Sequence, residues 1–393
     1  MAQGPHPLLE LRGCVLLRGW GGDYRSFVFK RADTFVFCSF CLYWNKFDII
    51  NRYKNMETLY RKYRPQKFSD VVGQDIVVSV IQTSLSKKKI SHAYIFAGGR
   101  GTGKTSLARI FARALGVSSN DLYEIDAASN RGIDDIRAIK DAVFTLPFNS
   151  PYKMYLIDEA HMLTREAWNA LLKTLEEPPH YVIFILATTE LEKIPDTIMS
   201  RCEIHIFKQP DQHTLEQLIK NVAKEEGYDL PEEAVSLLAL VADGSFRDAY
   251  GVLQKTLSSS DTKKISLAHI EKTIGAPDSV IIFDLLKALC LKQVESVFEI
   301  LHKQREKDYN SKVFLRLLIE RVRLAIMLRI SPHILDQKIE EDTTKQLKEI
   351  LQLKPLLPLN SHLLLNLLDT YDRVLRSSFP DITLEASLIS LLE

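Results

Sequence analysis

The sequence predicts an α/β domain built on a mostly parallel five-stranded sheet, followed by a small helical domain and a longer all-helical one. Three observations predict it. A glycine-rich loop, GGRGTGKT, lies between an apolar run and a helical pattern; four further apolar runs are interleaved with helical patterns; and every strand pattern stops after Pro210. Strands separated by helices cannot pair as hairpins, so they imply crossover connections that cover both faces of the sheet.

In chain order, SHAYIFAG is a short apolar run ending in glycine, the first strand. KTSLARIFARALG then sets Leu107, Ile110, Phe111, Ala114 and Leu115 at helical spacing and stops at Gly116. LYEIDAA is a strand, RGIDDIRAIKDAVF a helix, KMYLIDEAH a strand, and TREAWNALLKTLEE a helix closed by Pro178 and Pro179. YVIFILATT and EIHIFK complete the five strands. Beyond Lys208-Gln209-Pro210, four short amphipathic helices are punctuated by Gly or Pro: TLEQLIKNVAKEEG, PEEAVSLLALVADG, SFRDAYGVLQKTL and SLAHIEKTIG. GAPD, 275 to 278, reads as a joint, and leucine-rich helical patterns recur from Ser279 onward, including SKVFLRLLIERVRLAIMLRI and SHLLLNLLDTYDRVLRSS. The expected division is 1–55, an atypical extension; 56–209, the α/β domain; 210–277, the small helical domain; and 278–393, the C-terminal helical domain.

A chain of 393 residues is long for one core, in keeping with several domains. Lys and Arg number 51 against 50 Asp and Glu, a net charge of +1, so bulk charge does not mark a nucleic-acid binder and only a local basic stripe stays open. Cys14, Cys38, Cys41, Cys202 and Cys290 are scattered and odd in number, which points to a reducing compartment without a disulfide framework. In the first 55 residues no clean period appears. Its apolar run Phe35 to Trp44 falls short of the roughly 20 residues needed to span a bilayer. Glu10 and Arg12 interrupt any secretory core, so no membrane association is expected. Cys38 and Cys41 form a lone CxxC without a second pair, better read as incidental thiols than as a metal site. Ordinary patterning opens at Met56, the expected start of the protein.

Gly98, Gly99, Arg100, Gly101, Thr102, Gly103, Lys104 and Thr105 satisfy GxxxxGK[ST] between a strand and a helix, with Ser106 next in the first helical turn. Glycines let backbone N–H groups turn toward phosphate oxygens, Lys104 can reach the terminal phosphates of a nucleotide, and Thr105 can ligate Mg²⁺. In MYLIDEAH an apolar strand ends in Asp158-Glu159, one carboxylate for the metal and one to orient and deprotonate water. Thr188 and Thr189 end another strand, where a polar residue can position that water or simply pack. Arg247, at a helix start in GSFRDA, either reaches a γ-phosphate or pairs with Asp248 or Asp243. Arg201, in IPDTIMSRCEIHIF, is a charge before a strand nearly a hundred residues from the phosphate loop.

RKYRPQKFSDVVGQ, GGRGTGKTSLARIFARAL, EIDAASNRGIDDIR, YLIDEAHML, ALLKTLEEPP, ILATTELEKIP, SRC and GSFRDA occur in this order. Together they resemble the gamma/tau subunits of the bacterial DNA polymerase III clamp loader, which are AAA+ ATPases. The resemblance is dense over 56 to 277. It implies an AAA+ P-loop domain, a helical lid and an all-α collar that assembles a five-membered ring, binding ATP with Mg²⁺ to open a sliding clamp for primer-template DNA. Carried over by position, Lys104 and Thr105 bind phosphate and Mg²⁺, Asp158 is the metal carboxylate, Glu159 activates water, Thr189 is sensor 1 and Arg247 is sensor 2. Tyr63, Arg64 and Val72 fall in the segment that lies against adenine, and SRC makes Arg201 the arginine finger for a neighbour's ATP. Implied partners are delta, delta prime and further gamma/tau copies, in the bacterial cytoplasm at the replication fork. In related loaders DNA follows the helices after the second and third strands, which points to Ser129, Asn130, Arg131, Arg137 and Lys140 here, or to a solvated helix face.

Two departures stand out. Many members carry a four-cysteine zinc module after the phosphate-loop helix, but ARALGVSSNDLYEID has no cysteine, so no zinc is expected. The chain ends like the shorter gamma form, which puts helicase and polymerase-core contacts in doubt. A non-hydrolysing ring member usually has a broken phosphate loop, and a DNA-remodelling helicase would need a second RecA-like half. Nucleotidyl transfer would need its own carboxylate-bound metal pair, for which the sequence offers no candidate.

Overall fold

The computed structural model describes residues 58–130, 132–260, 262–306, 309–331, 341–353 and 357–392. The expectations for residues 1–55, Met56 and Arg131 lie outside the described residues. A short helix α1 (Leu59–Lys62) and helix α2 (Asp75–Ser86) precede the sheet. Its strands are β1 (Ala93–Gly98), β2 (Leu122–Asp126), β3 (Lys153–Asp158), β4 (Val182–Thr188) and β5 (Glu203–Phe207), connected by α3 (Lys104–Ala114), α4 (Ile133–Val143), α5 (Arg165–Glu176) and a turn-length α6 (Asp196–Met199). The spatial order is β2-β3-β4-β1-β5 and every neighbouring pair is parallel.

The three inner strands β1, β3 and β4 are buried almost throughout because both faces are covered, whereas the edge strands β2 and β5 carry charged and exposed residues. Along β4, Ile183 and Ile185 face one side with Tyr94, Phe96 and Met154, where α2 and α3 bring Ile81, Leu107 and Phe111. Phe184 and Leu186 face the other with Ile95 and Tyr155, where α4 and α5 bring Ile136, Trp168 and Leu171. In α3 the buried stripe runs through Leu107, Ala108, Phe111 and Ala112. Ala114, placed on that face by its spacing, lies at the stripe's margin and is exposed. The helix stops where Gly116 turns to φ 76°, the left-handed cap that glycine adopts without a Cβ penalty.

Four helices, α7 (Gln212–Glu225), α8 (Glu232–Val241), α9 (Phe246–Ser258) and α10 (Leu267–Ile274), enclose a second core of Leu215, Ile219, Leu238, Leu253 and Ile270. Asp211, Ser245 and Ser266 cap α7, α9 and α10. Leu59 of α1 also belongs to this core, so the chain before the sheet packs on the small helical domain. A third core, including Leu286, Phe314, Leu318, Leu347, Leu367 and Leu384, is built from α11 (Ser279–Cys290), α12 (Val294–Arg305), α13 (Ser311–Ile330), α14 (Glu341–Gln352), α15 (Ser361–Arg376) and α16 (Pro380–Leu392). Among the described residues no helix is long and apolar enough to cross a membrane.

Candidate active site

Parallel strands deliver their C-terminal loops to one edge of the sheet, and there the segments after β1, β3 and β4 converge. The loop after β1 cannot carry side chains at two points. At Gly98 (φ 154°) a Cβ would come 2.5 Å from the Phe207 carbonyl oxygen, and at Gly101 (φ 72°) it would run into Ser245 Oγ. Lys104 starts α3, is 6% exposed, and donates from Nζ to the carbonyls of Gly98 and Gly99, each at 2.8 Å. Burial pulls its ammonium below the usual lysine value, against the opposing pull of Glu159 and Asp158.

Thr105 Oγ1 donates to Asp158 Oδ2 at 2.8 Å, so the two expected metal ligands already touch across the β1 and β3 loops. Asp158 Oδ1 accepts from the Glu159 backbone N–H at 3.0 Å. Glu159 itself sits in the left-handed region, φ 50° and ψ 44°, a conformation that non-glycine residues hold only where the surroundings demand it. Thr189 Oγ1 donates to Glu159 Oε2 at 3.1 Å. Thr188 is fully buried and turns instead to His161 and Glu190. Of the two threonines the sequence offered, Thr189 is the one joined to the carboxylate pair.

A cavity of about 990 Å³ opens beside these groups, lined by Arg100 through Ser106, by Asp158, Glu159 and Arg247, and by Tyr63, Arg64 and Val72. Gly98 and Gly99 lie outside its lining and reach it through Lys104; Thr189 reaches it through Glu159. The N-terminus of α9 rests on the loop, with the Phe246 N–H donating to Gly101 O at 3.1 Å. Arg247 stands over the Tyr60 ring, 5.4 Å from its centroid. Neither aspartate expected as its alternative partner holds it: Asp243 pairs with Arg316, and Asp248 lies in the cap of α9. Tyr63 stacks on Tyr250 at 6.1 Å and donates to Glu226 Oε1 at 2.7 Å; burial and Glu226 push its phenol far above the ordinary tyrosine range. Burial lowers the Arg64 guanidinium.

Sequence reasoning missed Gln74, 3% exposed, whose amide bonds both backbone groups of Lys208 at 2.7 and 3.1 Å and so ties the end of β5 to the segment before α2. The signal was present in VVGQ, a lone amide beside a glycine. Tyr60, Phe246 and Tyr250 were missed as well; their aromatic surface lines the cavity but has no spacing signature.

Arg201 is not in this cavity. It bonds Glu176 Oε1 at 2.7 Å and the Thr197 carbonyl at 2.5 Å. Glu203 is level with Tyr94 and Phe207 with Gly98, so Arg201 lies at the foot of the sheet, more than four strand residues or about 13 Å below its own loop. Cys202 is half-buried and packs against the α4–α5 face, where burial pushes its thiol up to about 12. Of the DNA candidates, Ser129 and Asn130 fold back on Asp126, Arg137 pairs with Asp134 at 3.2 Å, and Lys140 is half-buried on α4.

Residues 117–211 match the family described as DNA polymerase III, delta subunit, and residues 265–393 the family described as DNA polymerase III subunits gamma and tau domain III. The chain is 42% identical over 280 residues to DNA polymerase III subunit gamma/tau of Mycoplasma pneumoniae, covering 66% of this chain and 41% of that protein. It is 36% identical over 326 residues to DNA polymerase III subunit gamma of Buchnera aphidicola subsp. Schizaphis graminum, covering 75% of this chain and 87% of that protein. Among solved structures, the RuvB Holliday junction branch migration motor of Thermotoga maritima is similar with 21% identity and a TM-score of 0.46 over 58% of this chain and 79% of that one. The chain spans about half the length of the first curated relatives it matches, between 41 and 56% of each.

Proposed function

Because this chain belongs to the DNA polymerase III gamma/tau subunit family, we propose that it is the ATP-driven motor of a clamp loader, binding and hydrolysing ATP to place a sliding clamp on primed DNA. The observation that carries this reading is the contact chain Thr105–Asp158 and Glu159–Thr189 beside an intact phosphate loop. The loop backbone and the N-terminus of α3 receive the phosphates, and Lys104 turns its ammonium from two carbonyls to the terminal phosphate oxygens. Thr105 and Asp158 are the residues that would hold Mg²⁺, which when bound supplies positive charge to the phosphate oxygens. Glu159 orients the attacking water and takes its proton, while Thr189 fixes the carboxylate from the side of β4.

Arg247 reaches toward the γ-phosphate from the lid, which makes the lid angle depend on nucleotide; its place in the cavity lining supports this. Tyr63, Arg64 and Val72 take the base. Arg201 serves the ATP of a neighbouring subunit, a reading supported by its distance from its own loop. The four separate cores, one on each face of the sheet and one in each helical region, support a division into an ATPase domain (56–209), a lid (210–277) and a collar (278–393), with Leu59 of the first segment packed on the lid. Partners are further gamma/tau copies, delta, delta prime, the clamp and primer-template DNA, in the bacterial cytoplasm. A non-hydrolysing role would leave the intact Lys104, Asp158 and Glu159 constellation without a use, and no primer extension is assigned to this chain.

The test is ATPase turnover of the reconstituted loader with and without clamp and primed DNA. Turnover should rise when both are present, and Glu159→Gln should bind ATP, trap the clamp complex and lose turnover. Undiminished turnover in that variant would mean that another residue activates water.

A further inference from the structure

The turn after Glu159 carries a residue that the motif leaves without a role. His161, with its side chain 7% exposed, stands between two carboxylates. Its Nε2 lies 3.3 Å from Glu190 Oε1, and since a carboxylate can only accept, Nε2 carries a proton. Glu190 is ionised at neutral pH as glutamates ordinarily are, and Lys193, bonded to it at 2.7 Å, holds its carboxyl lower still. On the other side of the ring, Nδ1 is 3.1 Å from Thr188 Oγ1 and 3.5 Å from Glu159 Oε2. That same Oε2 accepts the Thr189 hydroxyl. Thr188 is fully buried and its hydroxyl also accepts the Glu190 N–H at 3.0 Å, so the ring is held at a fixed point of the sheet.

We propose that His161 is a positioning residue for ATP hydrolysis: braced by Glu190 and Thr188, the imidazole bounds one side of the Glu159 carboxylate while Thr189 bonds it from another. A glutamate side chain has three rotatable bonds, and a general base displaced by about 1 Å loses up to a hundredfold in rate. Two neighbours on one oxygen remove that freedom. Lys193, Glu190, His161 and Glu159 thus form a line from the surface after β4 to the water-activating carboxylate. The proposal rests on the reading of Glu159 as the residue that activates water.

The experiment measures kcat, KM for ATP and melting temperature in the full chain assembled with its partner subunits on primed DNA. His161→Ala should lower kcat by about tenfold to a hundredfold with KM and melting temperature unchanged. His161→Asn, whose planar amide keeps a polar group at the place of Nδ1 beside Thr188 and Glu159, should recover part of the loss. Glu190→Gln, one step out along the line from His161, should lower kcat by a smaller factor without changing stability. Unchanged kcat in His161→Ala, or kcat, KM and melting temperature falling together with no recovery in His161→Asn, overturns the proposal. Should His161→Ala fail to fold, Glu190→Gln decides alone, and an unchanged kcat there overturns it. Glu159→Gln separates the two readings: if it loses turnover while His161→Ala keeps it, only the positioning role falls, and if it turns over normally both fall.

Discussion

At the scale of single residues, the glycine loop closes on a buried lysine that donates to two of its backbone carbonyls, with burial pulling the ammonium below the usual lysine value against Glu159 and Asp158. Lys104→Ala should abolish ATP binding in the isolated chain, measured by titration of a fluorescent ATP analogue; retained affinity would sink the assignment of the loop. Gly101→Ala acts differently. Its Cβ would strike Ser245 Oγ, and φ 72° costs an alanine about 1–2 kcal/mol. Weaker docking of α9 and weaker ATP binding should appear together, with Lys104 itself intact. The places of the glycine loop after β1 and of Asp158-Glu159 at the end of β3 were legible in the sequence because an apolar strand pattern stops at each. The choice of Thr189 over Thr188 was not legible from spacing, because neighbours on a strand end differ only in which side of the sheet each meets.

At the scale of elements, α3 carries the phosphate loop only as well as it holds the sheet. Phe111 is fully buried and meets the Tyr94 ring edge-on at 5.3 Å, so Phe111→Ala should cost about 3–5 kcal/mol in urea unfolding and impair nucleotide binding as a consequence. The loop between α4 and β3 is anchored by Asp121, 1% exposed, which accepts the Phe148 N–H at 2.6 Å, the Asn149 N–H at 3.0 Å and the Ser118 hydroxyl at 3.0 Å. Burial pushes this carboxyl up, but hydrogen bonds from Phe148, Ser150, Asn149 and Ser118 outweigh it and hold the group well below its ordinary value. A folded-state value below the unfolded one, about 4, means that the contribution is present above about pH 4 and is lost as pH falls through the folded value. Asp121→Asn should therefore lower stability at pH 7 and flatten its decline toward pH 3 in urea titrations. An unaltered acid limb would show that the carboxylate does not anchor the loop.

At the scale of the whole molecule, one arginine connects parts that the sequence keeps apart. Arg316 of α13 pairs with Asp243, and Tyr371 of α15 approaches the same carboxylate at 3.5 Å. Asp243 lies four residues before Arg247, with Ser245 and Phe246 of the same segment resting on Gly101. Arg316→Met should cost about 1 kcal/mol or less, as partly exposed pairs do. Its larger effect should be faster amide exchange over 243–247, and unchanged exchange there would mean that the helical domains do not communicate through this pair. On the proposed reading Arg201 serves a neighbouring subunit. Arg201→Ala should leave ATP affinity of the isolated chain unaltered and lower turnover of the assembled ring by about 10³-fold. An equal loss of ATP binding in the isolated chain would place the residue in cis.

The sequence by itself determined the five strands, the helical run that follows them, and the placing of the glycine loop and of Asp158-Glu159 at strand ends, because apolar period and turn chemistry are local properties of the chain. Tertiary structure decided which side chains share an atom: that Thr105 meets Asp158, that Thr189 and His161 meet at Glu159, that Leu59 packs with α7 to α10, and that Asp243 pairs with Arg316 while Arg247 stands over Tyr60. The physical reason is one of range. A strand or a helix is specified by residues two to four positions apart, whereas a site at the edge of a parallel sheet is assembled from loops that only the order β2-β3-β4-β1-β5 brings side by side.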